Sequence, residues 1–195
     1  MDLGIDKRVF VVASRNEEDL AACGDVLGAE GAVVVGVDSI DGAVSEVIAG
    51  HGRLDGVIAH LRHERPRQLL DADLQELESA WAEVEAIAGA YREAAEAMAI
   101  QGRGRLVTVV SGGVKWLDDD TDEVGAIAGL GVLGLHKAAV ADVAPGGICV
   151  NAVLRGARST AHQVADAAAF LVSDGAGYLH GVTISLDGAT SPAVF

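Results

Sequence analysis

The sequence is short of aromatic residues, proline, cysteine and positive charge, and each shortage excludes something. Aromatic side chains make up only 4% of its 195 residues, so a core must rest on Ala, Val, Leu and Ile. Three prolines against 25 glycines do not suit a loop-rich β protein. The two cysteines, Cys23 and Cys149, stand in apolar settings without metal-ligand spacing. They read as buried thiols of a reducing compartment, not as a disulfide framework. Lysine and arginine number 14 against 29 acidic residues, a formal net charge of −15. Such a field repels phosphate backbones and anionic lipid, which argues against nucleic-acid and membrane-surface roles. No basic segment followed by an apolar one opens the sequence, and no apolar run of about 18 residues escapes interruption by charge or repeated glycine. A soluble, cytoplasmic protein is expected.

What is present is an alternation. Short β-branched runs at 8–14, 31–38, 54–60, 104–113, 146–154 and 181–188 are separated by Ala-rich amphipathic stretches, among them 17–29 and 41–52. Continuous apolar strands separated by helices predict a parallel sheet covered on both faces. No break in composition divides the chain, so a single domain over 1–195 is expected. A helix is predicted over about 74–100, with one stripe of Leu77, Trp81, Val84, Ala88, Tyr91, Ala95 and Met98. A second stripe, Ala80, Ile87, Ala90, Ala94 and Ala97, consists mostly of small residues and suits either a neighbouring loop or a second subunit.

The segments "GAEGAVVVGVD", "GRLDGVIAH", "GRLVTVVS", "GLHKAAVADVAPGGICVNAV" and "VADAAAFLVSDGAGYLHGVTISLDGA" follow one another in an order that resembles the short-chain dehydrogenase/reductase family over nearly the whole chain. The last two are the most specific. The resemblance implies an α/β, Rossmann-like doubly wound parallel sheet of about six strands with helices on both faces. Between "VVVGVD" and "GRLDGVI" there is room for one helix where the family has helix, strand and helix, so one edge βα unit is expected to be reduced. After "NAVLRGARST" the chain passes almost directly into a helix, so the substrate lid is expected to be reduced as well.

The departures from the family carry the functional content. Its glycine-rich cofactor turn reads "ASRNEEDLAACG" here, and the three family glycines fall on Ser14, Glu18 and Leu20. Glu17, Glu18 and Asp19 are read as first-turn helix acids, favourable to the helix dipole and repulsive to a pyrophosphate. Asp38 matches either the family's ribose-binding acid or the acid that borders its adenine pocket, and the shortened segment makes the two indistinguishable. The family's "NNAG" becomes "AHLR", Ala59 to Arg62. Its catalytic asparagine aligns with Ala86, its serine with Ser111, and its tyrosine and lysine with Gly125 and Gly129. Glycine offers neither a proton donor nor a cation. These last two lie in "VGAIAGLGVLGLHK", where each interior glycine costs a helix about 1 kcal/mol relative to alanine.

Polar residues converge on the carboxyl ends of the strands, where α/β proteins bind ligands. Arg15, His60, Arg62, His63, Lys115, Trp116 and Arg155 are the candidate substrate-binding residues, with Ser111 the one candidate catalytic residue. The His60/His63/Glu64 spacing lacks further ligands, so no metal is expected. The acidic loop "WLDDDTDE", with Asp118 to Asp120 at its centre, precedes the glycine-rich helix, and Asp120 or Thr121 is a candidate cap. Together these features suggest a short-chain dehydrogenase/reductase scaffold that has lost NAD(P)-dependent hydride transfer and binds a small molecule, with no cofactor expected. One alternative is a divergent NAD(P)-dependent oxidoreductase. Another is the inactive partner of an active family member. Homodimer or tetramer contacts are expected through the 74–100 and 124–143 helices.

Overall fold

The structure, a computed structural model, describes residues 2–61, 68–115 and 122–189. Six strands appear where the β-branched runs lie: β1 (Val9–Ala13), β2 (Val33–Val37), β3 (Gly56–His60), β4 (Gly104–Ser111), β5 (Ile148–Arg155) and β6 (Thr183–Leu186). Five helices connect them: α1 (Glu17–Ala29), α2 (Ala43–His51), α3 (Leu74–Gln101), α4 (Glu123–Val143) and α5 (Ala161–Val172). All strand pairs are parallel, in the order β2-β1-β3-β4-β5-β6. This is the α/β doubly wound sheet that the sequence implies. The reduced edge is visible too: α2 alone joins β2 to β3, and β2 closes the sheet. Only residues 156–160 separate β5 from α5, so the lid segment is short.

Two apolar layers sandwich the sheet. One joins α2, α3 and α4 to it through residues such as Val44, Val84, Met98, Val124 and Leu106. The other joins α1 and α5 through Leu27, Cys23, Val164, Leu171 and Phe10. Phe10, one of the few aromatics, is fully buried because its register partner on β3 is Gly56, where a Cβ would lie 2.6 Å from the ring.

Local chemistry sets the helix ends. Asn16 caps α1 by accepting from the Glu18 N–H, and Asp73 with Glu76 forms a capping box on α3. Helix α3 matches the predicted 74–100 span, but its buried face differs from either predicted stripe. Ala80, Val84, Ile87, Tyr91, Ala94 and Met98 face the sheet, whereas Trp81 is half exposed. The reason is Gly131 on α4: a Cβ there would lie 3.0 Å from the Trp81 ring, so the indole rests between the two helices. The segment Glu123–Gly146, with mean hydropathy 1.6, is long and apolar enough to cross a membrane by length and composition, which the sequence reading did not anticipate. Here its Val124, Ala128 and Val132 are buried in the core with Leu106 and Val110.

Candidate functional site

In a sheet of this order the chain turns away from β1 on one side toward β2 and on the other toward β3. Ligands of open α/β sheets bind outside the carboxyl ends of the strands at such a point. Four side chains meet there. Asp19, in the first turn of α1, is 1% exposed. Its two oxygens accept from Arg155 Nη1 at 2.7 and 2.8 Å. His60 Nδ1, at the end of β3, lies 3.4 Å from Asp19 Oδ2, and the Ser14 hydroxyl, after β1, donates to the same oxygen at 3.4 Å. On the far side of the imidazole, His60 Nε2 faces Cys23 Sγ at 3.9 Å. Asp19 and Cys23 stand one helical turn apart on α1, so both reach the same histidine.

Burial alone would raise the Asp19 pKa, but hydrogen bonds from His60 and Arg155 overcome it and hold the carboxyl at about 2. The same burial, with the Asp19 charge beside it, pushes the Cys23 thiol up to about 12. The cluster is therefore an internal ion pair beside an inert thiol.

The proton-transfer positions are equally altered. The Asp122 side chain accepts from the Gly125 N–H at 3.0 Å and caps α4, whereas the predicted caps Asp120 and Thr121 lie outside the described residues. At Gly129 a Cβ would lie 2.5 Å from Val114 Cγ1 in the 3-10 turn after β4. Valine thus fills the place where a lysine stem would begin. Ser111 is exposed at the end of β4, and its hydroxyl accepts from the Gly113 N–H at 3.3 Å, which stabilises the turn. Ala86 is half-buried on α3, and Lys137 is exposed beyond the site.

Three of the predicted substrate-binding cations are paired with acids. Arg15 pairs with Glu83 at 3.2 Å, Lys115 with Asp187 at 3.5 Å, and Arg155 with Asp19. Asp38 is exposed just past β2. Arg62, His63, Glu64, Trp116 and the Asp118–Asp120 loop lie outside the described residues. No cluster of three metal-ligating side chains occurs among the described residues. Sequence reasoning assigned Asp19 to the helix dipole and missed its pairing with Arg155, 136 positions away, for which no local spacing gives a signal. It also missed a buried triad: Thr108 Oγ1 lies 2.8 Å from His136 Nε2 and is hydrogen-bonded to the Tyr91 hydroxyl.

No protein-family model matches the chain, and no curated protein is similar to it. Its fold is nevertheless shared with solved structures. A short-chain dehydrogenase/reductase from Serratia marcescens superposes with a TM-score of 0.85 at 22% identity, covering 96% of this chain and 99% of that one. YwfH, an NADPH-dependent reductase involved in bacilysin biosynthesis, gives 0.76 at 19% identity, covering 95% and 100%. A dehalogenation enzyme gives 0.85 at 17% identity, covering 98% and 100%. At these identities the likeness establishes the fold, which is that of the short-chain dehydrogenases/reductases.

That fold implies NAD(P), whose pyrophosphate would belong in the crevice at β1 and β3. The residues present do not fit it. A buried carboxylate already holds the arginine and histidine there, and no glycine opens the turn between β1 and α1 to close backbone approach. Leu20 instead packs across Gly36 of β2, 3.6 Å from where a Cβ would stand.

Proposed function

We propose that the chain is a member of the short-chain dehydrogenase/reductase family that binds a small polar molecule at the carboxyl edge of its sheet without hydride transfer. The observation that carries this reading is the Asp19–Arg155–His60 cluster, which fills the part of the crevice where a dinucleotide would lie, supported by glycine at 125 and 129. A fold neighbour described as a dehalogenation enzyme is consistent with chemistry other than hydride transfer on this scaffold. Buried free thiols at Cys23 and Cys149 support a cytoplasmic setting.

The second reading, a divergent NAD(P)-dependent oxidoreductase, is favoured by the neighbours, of which one is an NADPH-dependent reductase. Calorimetric titration with NADH and NADPH separates the two. No saturable heat up to millimolar cofactor is expected, and micromolar binding would establish the oxidoreductase reading. A thermal-shift screen against polar metabolites then identifies the ligand. For assembly, the proposal is a homodimer or tetramer through α3 and α4, with pairing to an active family member as the alternative. Supporting it, Trp81, Ile100, Ile127 and Leu130 are exposed on these two helices, and a cavity of about 480 Å³ is lined by Ala88 and Ala95 of α3 and Leu135 and Ala139 of α4.

A further inference from the structure

The crevice at β1 and β3 contains every element of an oxyanion site and also its anion. The guanidinium of Arg155 comes from β5, an imidazole from β3 and a hydroxyl from the turn after β1. Three separate strand ends direct donors at one carboxylate, and that carboxylate belongs to the chain. A surface ion pair would not need this arrangement. Asp19 is 1% exposed and Ser14 2%, while the Arg155 side chain is only about a quarter exposed. Arg155 also reaches back to a residue 136 positions earlier, across the ends of the central strands.

We propose that Asp19 is a built-in ligand: the strand ends form an oxyanion site, and the first turn of α1 inserts its own carboxylate as the permanent occupant. The site's ligand class is a small oxyanion, carboxylate or phosphate, which enters only when Asp19 is removed. The site recognises one anionic group at one point, the Arg155 guanidinium flanked by His60, and it has no second cation for a longer polyanion among the described residues, because Arg15 and Lys115 are committed to Glu83 and Asp187. The proposal concerns the Arg155–His60 point of the crevice and leaves the small polar molecule of the functional reading to the rest of the carboxyl edge.

Anion rescue tests it. Asp19→Ala leaves Arg155 and His60 facing a space the size of a carboxylate. In chloride buffer its thermal midpoint falls below that of the wild type. Added sodium formate, or inorganic phosphate, raises it saturably by roughly 5 °C, as mass action requires of an anion that binds the folded state. Sodium chloride at matched ionic strength does not, the wild type gains nothing, and the Asp19→Ala/Arg155→Met double variant loses the rescue. Formate acting without phosphate marks a site of carboxylate size; both acting marks a general oxyanion site. Should the single variant fail to fold in chloride, refolding in formate recovers it. Equal midpoints in formate and chloride, or no recovery in either, overturn the proposal. Micromolar NADPH binding by the wild type with rescue intact would overturn the functional reading alone.

Discussion

Val114 lies against Gly129 so closely that a Cβ on residue 129 would stand 2.5 Å from its Cγ1. Five residues further along the same helix, Gly134 has nothing within 4 Å of its would-be Cβ. Two glycines of one stretch thus have opposite meanings. Gly129→Ala is expected to destabilise by about 1–3 kcal/mol through overpacking. Gly134→Ala is expected to stabilise by up to about 1 kcal/mol through helix propensity. Urea unfolding of the two variants checks the sign of each. A Gly125→Tyr/Gly129→Lys double variant, which restores the family's residue types, is expected to lose stability and gain no NADPH oxidation.

The strands were legible because β-branched runs such as 104–110 have few alternatives, and the order of segments carried the topology. The contents of the crevice were not. Asp19 and Arg155 stand 136 positions apart and are joined only through space, and no local pattern announces that pairing. The stripes on α3 went astray for a related reason. Periodicity places Trp81 and Tyr91 on one face, but only packing against Gly131 determines that the indole stays half exposed while the phenol goes under.

His136 gives a pH dependence. Burial between α3 and β4 lowers its pKa from 6.5 to about 4, so the folded state holds it neutral beside Thr108 and Tyr91. The unfolded chain binds its proton first as pH falls. The stability this neutral form contributes is complete above 6.5 and is lost progressively down to about 4. The full difference is about 3 kcal/mol. His136→Gln keeps a partner for Thr108 and is expected to flatten the stability curve in that window. Urea unfolding at pH 7.5 and 4.5 measures the change, and an unchanged slope would show that other groups set it.

The exposed apolar side chains of α3 and α4 predict self-association. Ile100 is 90% exposed and Leu130 55%, on neighbouring helices of one layer. Sedimentation velocity is expected to give a dimer or tetramer, and Leu130→Glu to shift it toward monomer without lowering the thermal midpoint of the monomer fold. A monomer at all micromolar concentrations would contradict this.

The ion pair of Asp19 and Arg155 has a consequence for how the protein responds to its surroundings. A protein whose binding crevice needs a metabolite is stabilised in proportion to the logarithm of that metabolite's concentration. Here the counter-ion is covalently attached, its effective concentration is fixed by the fold, and no pool can dilute it. On the built-in-ligand proposal, the stability contributed by this ion pair is therefore independent of any free anion in solution.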